Sequence, residues 1–498
     1  MIYIYIEDNN FKKQIQYVFS LFFFVLGQNV SYIECLTSYI QGEKDILIAY
    51  IDSKDAKKIT DKFKNIIIIK ASKKLFGEYY LQAESIPSFV NRFILEIPIK
   101  CTTDIISIFS DGQRLFIKKD NMHIHTNIDF ISDAFFMLSR YEEVVLSHMI
   151  HNERYKRFSA KHSLAYKHNF LGRPIVNEYI ELLWSWIEDF NLGYKRKKWW
   201  GNKDFVVCLS HDVDYILKHN ILNKRQVKET LSNILTLKKL DKGLDDLGKM
   251  IKNINMYKKD PYWTFEYLMK IEKKYGFSSS FYFMVSGNSE YDNNYLLKDY
   301  RVKSLINKMI ELDFEVGYHG SYNTFNNKQL MKQEKRVLDS VVYDHKYGCR
   351  QHYLRFKVPD TWRYQSYNKF IYDTSMGYPD CEGFRCGTCF PFKPYDLIHN
   401  KVINMWEIPL IVMDMTLCSN KYKRLKANEA YDRCVEMIEI IDNYQGVFTI
   451  LWHNSFFGEA NNEWKKVYER VLKYLSAKQC EAMSGKQIIN IIEGYKNK

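Results

Sequence analysis

Proline and glycine are scarce in this chain of 498 residues, 9 and 21 respectively. That excludes a collagen-like, mucin-like or linker-dominated architecture. Neither a repeat of about 20 to 50 residues nor a low-complexity tract is present. Long apolar runs are missing too. The most apolar stretch, Tyr17 to Gly27, is eleven residues long, whereas a bilayer span needs about 20, so a buried helix is expected there. The first residues, Met1-Ile-Tyr-Ile-Tyr-Ile6, alternate like a strand and lack the charged-then-apolar layout of a signal peptide. Ten cysteines show no paired small-domain spacing, which predicts reduced thiols and a cytoplasmic setting. There is no acidic excess: Lys+Arg 72 against Asp+Glu 59 leaves +13. An acidic, solvating tail protein is thereby excluded and an anionic partner permitted. The basic residues come without a zinc-finger or RNA-recognition signature, so nucleic acid is not an expected partner.

What is present is a hydrophobic fraction of 46 %, enough for a large core divided over roughly two to four domains. Two textures divide the chain. Residues 1 to 195 hold short β-rich runs (Ile2–Ile6, Ile46–Ile51, Ile66–Ile69) among helical segments, a smaller mixed α/β domain. Helices are expected over Ile128–Leu146 and, after Pro174, over Val176–Phe190. The run Lys195-Arg196-Lys197-Lys198-Trp199-Trp200 reads as a boundary.

From residue 203 to 498 strands and helices alternate. Phe205–Leu209 is a continuous apolar run of strand length, the mark of a strand covered on both faces. Further strands are expected at Ser280–Val285, Phe314–Tyr318, Val402–Met413 and Val447–Trp452. Asp260-Pro261 reads as the cap of a helix ending near Gly276. About seven such units favour a parallel α/β sheet closed into a barrel. Inside this region Ile216–Asp260 is an amphipathic, Lys-rich insertion with eleven Lys/Arg and five Asp/Glu. It reads as a solvated helical flap, or else as a lid or docking surface for an anionic substrate or membrane-bound acceptor.

The polar residues that follow the strands carry the chemistry. After the first comes Ser210-His211-Asp212-Val213-Asp214. Carboxylates at i and i+2 of an extended segment point the same way, and two like charges so close call for a metal or another cation. Later strands are followed by Gly317-Tyr318-His319-Gly320, by Arg350-Gln351-His352-Tyr353, and by Leu451-Trp452-His453-Asn454. In a parallel barrel all strand C-termini open on one face, so Asp212, Asp214, His319, Arg350 and His453 converge there. Two carboxylates with two imidazoles form a metal-hydrolase pattern. Three thiols, Cys381, Cys386 and Cys389, fall within nine residues but lack an adjacent fourth ligand for a thiolate zinc site.

On these motifs, residues 203 to 498 resemble the polysaccharide deacetylases of carbohydrate esterase family 4. The resemblance implies a distorted (β/α)7-like barrel and a divalent metal, with Zn2+ expected. It also implies removal of acetyl groups from an N-acetylated saccharide or lipid-linked glycan in cell-envelope polysaccharide metabolism. Peripheral membrane contact is compatible with such a substrate. The first 195 residues resemble an uncharacterised domain often found before this module in bacterial surface-polysaccharide gene sets. That likeness is carried by Phe135-Phe136-Met137-Leu138-Ser139-Arg140-Tyr141-Glu142-Glu143 and by Arg173-Pro174-Ile175-Val176-Asn177-Glu178-Tyr179.

Carried over residue by residue, Asp212 matches the catalytic base, Asp214 a metal ligand, and His319 the first histidine of the family's His-x-x-x-His motif. The second position holds Asn323, whose amide oxygen is the expected, poorer third ligand. Arg350 matches the arginine that orients the base, and His352 stands where the family has proline. His453 matches the general acid, with Asp414 as its carboxylate partner and Asp373 as competitor. His352, Tyr353, Arg385 and Trp452 are the residues expected to line the sugar, and for His352 two other readings stay open, replacement of the missing histidine ligand and plain packing. Two other readings compete. A catalytically silent glycan-binding or scaffolding protein would follow from the missing histidine. A glycosidase would use Asp212 and Asp414 without metal. Oligomeric state has no signature in the sequence.

Overall fold

The computed structural model describes residues 1–52, 56–109, 114–153, 155–221, 223–236, 239–285, 287, 289–292 and 295–496. They form two compact units, each made of three chain segments. The first comprises Met1–Asn202, Phe384–Asn404 and Ile440–Gly446; the second comprises Lys203–Gly383, Met405–Glu439 and Val447–Lys498.

The first unit is built on a six-stranded sheet. Its strands are β1 (Ile2–Ile6), β2 (Val30–Ile33), β3 (Ile46–Ile51), β4 (Ile66–Lys70), β7 (Ile117–Lys119) and β8 (His123–Thr126), with the hairpin β5 (Asn91–Ile99) and β6 (Thr102–Ser107) standing apart. The order β2-β1-β3-β4-β8-β7 is parallel except for β7. β3 is buried along its length and β4 up to Lys70, which is why both read as unbroken isoleucine-rich runs. The apolar stretch at Tyr17 lies in the buried helix Lys12–Leu26. Gly27 ends that helix in the left-handed conformation (φ 69°), and the N–H groups of Gly27 and Gln28 return to Phe24 and Phe23 carbonyls. No helix among the described residues is long and apolar enough to cross a membrane.

The single helix expected over Ile128–Leu146 is instead two, Phe130–Leu138 and Tyr141–Val145. Arg140 separates them in the left-handed conformation (φ 52°), and its buried guanidinium bonds Glu142 and Glu143. The gain from that charge pairing overrides the helical preference of the surrounding sequence.

The second unit holds a nine-stranded sheet, all parallel. Its first five strands are β9 (Phe205–Val213), β10 (Ser279–Met284), β11 (Glu315–Gly320), β12 (Cys349–Gln351) and β13 (Tyr372–Asp373). They run in the order β13-β12-β11-β10-β9, with Trp406–Glu407 outside β13 and Val447–Leu451 then Val412–Met413 on the other side. Cys480–Ala482 pairs with the start of β9. Laid flat, the seven spacings between the two edge strands would span about 34 Å. Yet the edges Trp406–Glu407 and Val412–Met413 are joined by only Ile408 to Ile411, which reach at most about 18 Å. The sheet therefore curls into a barrel-like half-shell. Ile408 N donates to Asp373 O (2.9 Å) on one edge and Ile411 N to Thr449 O (3.1 Å) on the other.

This closure also explains why the strand expected over Val402–Met413 is not one strand. Pro409 has no N–H to give a ladder, and Lys401–Val402 pairs instead with Tyr395–Asp396 in the first unit. Asp260 does not cap the helix that follows, Phe265–Lys274, whose N-cap is Thr264. Its carboxylate accepts from the N–H groups of Lys218 (2.6 Å), His219 (3.1 Å) and Tyr262 (2.9 Å), tying the two ends of the insertion together.

Candidate metal centre

Each side chain of the site stands at or just beyond the C-terminal end of a parallel strand. β9 runs further than its apolar start, through Asp212 to Val213, so Asp212 lies on the strand and Asp214 immediately after it. His319 is near the end of β11, and Arg350 is its register neighbour on β12. His352 opens the turn that follows β12, and His453 comes just after Val447–Leu451. Shared strand polarity is what brings residues more than 200 positions apart to one place.

The centre of the group is Asp214. Ligand atoms of Asp214, His319 and His352 all lie within 4.8 Å of one another. His319 Nε2 is 3.2 Å and His352 Nε2 3.5 Å from Asp214 Oδ1, while His453 Nε2 is 3.7 Å from Asp214 Oδ2. The far nitrogens of the first two rings are already engaged. His319 Nδ1 meets the Arg350 carbonyl (3.1 Å), and His352 Nδ1 meets Asp292 Oδ1 (3.2 Å). A carbonyl or carboxylate on Nδ1 holds the proton there and leaves Nε2 with its lone pair facing Asp214, the usual outer support of a metal-ligating histidine.

Several buried atoms of this group lack any hydrogen-bond partner: Asp212 Oδ1, Asp214 Oδ1, His319 Nε2, and Arg350 Nε and Nη1. Leaving buried charged groups unpaired is costly. Asp214 Oδ1 and His319 Nε2 face each other without hydrogen-bond alignment, as two donors to one cation would. One carboxylate and two imidazoles suit a divalent ion of the zinc class.

Two further pairs flank the three. Arg350 is wholly buried, donates to Ser210 Oγ (2.9 Å), and sets Nη1 3.6 Å from Asp212 Oδ1. Asp414, also wholly buried, holds His453 twice, at the ring Nδ1 (2.8 Å) and the backbone N–H (2.6 Å). Asp373 does not compete for that role, since its carboxylate accepts from Gln365 and Ser375. Burial alone would lower the His453 imidazole, but Asp414, with Asp214 and Asp212, pushes it up to about 10. Burial would raise Asp214, yet His352, His319 and His453 hold it well below the usual carboxylate range. His319 is raised despite its burial because Asp212 and Asp214 stand beside it.

Three expected site residues are elsewhere. Asn323 is exposed, and its Oδ1 lies 3.4 Å from Arg355 Nη1. A spacing of four shares a face within one helix or one strand, but His319 is on a strand that ends at Gly320 while Asn323 is in the turn beyond it. His352 stands in the three-residue group instead. Arg385 is buried with Nε and Nη2 on Glu143 (2.8 and 2.6 Å), so its guanidinium is spent on that carboxylate and is not offered to a sugar. Trp452 is wholly buried against Tyr468 and offers no open face for stacking. Tyr353 is half-buried beside His352, with ring centroids 4.5 Å apart. Its left-handed backbone (φ 60°), unusual for a bulky residue, shapes the turn that carries His352. Asp292 escaped the sequence reading because it lies in a loop with no spacing to mark it. Cys381, Cys386 and Cys389 form no metal-holding group among the described residues.

Residues 2–191 match a family of unknown function, DUF7033. No curated protein matches the sequence. Among solved structures, the chain is similar to a protein of Mycobacterium smegmatis assigned to the polysaccharide deacetylases (13 % identity, TM-score 0.40, 59 % of this chain and 92 % of that one). It is also similar to Puue allantoinase (12 %, 0.39, 59 % and 92 %) and to another protein assigned to the polysaccharide deacetylases, from Pseudomonas aeruginosa PAO1 (11 %, 0.37, 60 % and 95 %).

Proposed function

We propose that the second unit is a metal-dependent hydrolase that removes acetyl groups from an N-acetylated saccharide, as its residues' resemblance to the polysaccharide deacetylases implies. The observation that carries this reading is the group Asp214, His319 and His352, with orphaned ligand atoms turned to one point and both imidazoles oriented from behind. A divalent ion held by these three would polarise the acetyl carbonyl and acidify water. Asp212, with the Arg350 guanidinium beside it, accepts the proton of the attacking water. His453, kept protonated by Asp414, gives its Nε2 proton to the leaving nitrogen. The amide C–N bond breaks, and acetate and the free amine leave.

Against a silent scaffold stands His352, whose imidazole is beside Asp214 and His319 where the motif's second histidine is missing. A metal-free glycosidase would need Asp414 facing substrate, and Asp414 is buried and spent on His453. The test is the metal content of the purified wild type beside His319→Ala, followed by acetate release from N-acetylated oligosaccharides. Near-stoichiometric zinc or a similar ion, lost in the variant together with acetate release, is expected. A wild type that takes up no divalent ion on reconstitution would overturn the reading.

A further inference from the structure

The insertion between Asp214 and the helix Phe265–Lys274 folds as two helices, Lys224–Ile234 and Leu240–Met256. They pack closely: a Cβ on Gly243 would stand 2.6 Å from the Ile234 side chain. This hairpin buries Met250 but leaves most of its other apolar side chains open. Thr230, Asn233 and Asn253 are buried, while Leu231, Leu244, Ile251 and Ile254 are each 47–55 % exposed and Leu235 86 %. Leu240, Leu244, Leu247, Ile251 and Ile254 recur at steps of four and three, so they form one stripe along the longer helix. A solvated flap would show its polar face to water and hide this stripe. Around it, Ile216–Asp260 carries six more basic than acidic residues, with Lys228, Lys239, Lys242 and Lys252 exposed.

We propose that this hairpin docks on an anionic lipid surface, its leucines and isoleucines entering the interface and its lysines meeting the headgroups. Charge selects this occupant. A second copy would bring the same positive surplus against itself, whereas an anionic bilayer attracts each of these lysines. Apolar side chains on a lysine-rich helix are the make-up of an interfacial anchor. The hairpin is also rooted at the catalytic rim. Asn454, next to His453, donates to the carbonyls of Tyr215 and Tyr262 (both 2.8 Å), the two ends of the insertion. Docking would therefore bring the site to the bilayer surface. Combined with the hydrolase reading above, on which this last step rests, it points to a lipid-linked glycan as the substrate class.

The test is co-sedimentation of the full chain with vesicles of equimolar phosphatidylglycerol and phosphatidylcholine, against vesicles of phosphatidylcholine alone. Two variants accompany the wild type, Leu244→Ser/Ile251→Ser/Ile254→Ser and Lys239→Gln/Lys242→Gln/Lys252→Gln. All six positions are exposed and outside the metal centre, so bound zinc and circular dichroism should match wild type. The wild type should prefer the anionic vesicles, increasingly so as salt is lowered. The lysine variant should bind on the order of a hundredfold more weakly, about fivefold per charge removed, and the apolar variant should also lose binding. A wild type that ignores anionic vesicles would overturn the proposal. So would a wild-type dimer that the apolar variant converts to monomer, which would assign the stripe to a second copy. Vesicle binding needs no metal and no turnover, so its failure leaves the hydrolase reading standing, and failure of that reading leaves vesicle binding unaffected.

Discussion

Each unit buries a cluster of charge, and the two clusters differ in one respect. In the first unit Arg140, Glu142, Glu143 and Arg385 close on themselves. Arg140 donates to Glu142 (2.9 Å) and Glu143 (2.8 Å), Arg385 to both Glu143 oxygens, and Glu142 Oε2 accepts from Leu164 N (2.8 Å). Two guanidinium groups face two carboxylates, and the Arg385 and Arg140 charges hold Glu143 below its ordinary range although burial opposes them. In the second unit Asp212, His319 and Arg350 are buried with Asp214 half-buried beside them, and the four leave polar atoms unmatched. Buried charge alone therefore does not mark a site. Single unpartnered atoms occur elsewhere too, at His125 and Arg196 for example; what sets the second cluster apart is that several neighbouring ionisable groups leave such atoms around one point.

The comparison predicts opposite responses to substitution. The largest effect is expected at the open cluster: Asp212→Asn should lower acetate release by about 10²–10⁴-fold with bound metal unchanged. Turnover equal to wild type would remove Asp212 as the base. At the closed cluster, Arg385→Ala should cost about 3–5 kcal/mol of stability, because it leaves two buried carboxylates, Glu142 and Glu143, to share the single Arg140 guanidinium. Denaturant unfolding reads that loss, and zinc affinity of the folded variant should stay as it was. A variant that unfolds like wild type but releases no acetate would return Arg385 to the catalytic site. Asp292→Ala should weaken metal binding by about 10–100-fold through the freed His352 ring, as measured by competition with a chelator. Smallest of all, Asn323→Ala should alter metal affinity by no more than about twofold. A tenfold loss there would mean that Asn323, despite its exposed turn, completes the ligand set.

The convergence of Asp212, Asp214, His319, Arg350 and His453 is legible in the sequence for one reason. Each stands on or just beyond a strand, and a parallel sheet puts all strand ends on one side. Asp414 is legible by the same logic, directly after Val412–Met413. The turns are not legible. His352 enters the group through a turn that needs Tyr353 left-handed, and Asp292 reaches it from a loop without periodicity. The carried-over His-x-x-x-His motif misdirects at Asn323 because the chain leaves β11 at Gly320 and the turn beyond it sets that side chain against Arg355. Likewise the helix break at Arg140 depends on Arg385, 245 residues away. Its side-chain pairing is a tertiary fact that local propensity does not contain.

The three-segment make-up of the first unit has a consequence for synthesis. Residues 1–202 leave the ribosome well before Phe384–Asn404 and Ile440–Gly446 exist. At typical elongation rates the 244 residues from Asn202 to Gly446 take about 12–50 s to make. For the first three quarters of that interval Glu143 lacks Arg385, and Asn177 lacks Thr388 and Cys389, from whose hydroxyl and N–H it accepts in the finished unit. The first unit to emerge is thus completed only when nearly the whole chain is out. A nascent chain stalled at residue 202 would hold its isoleucine-rich strands but not its closed charge cluster.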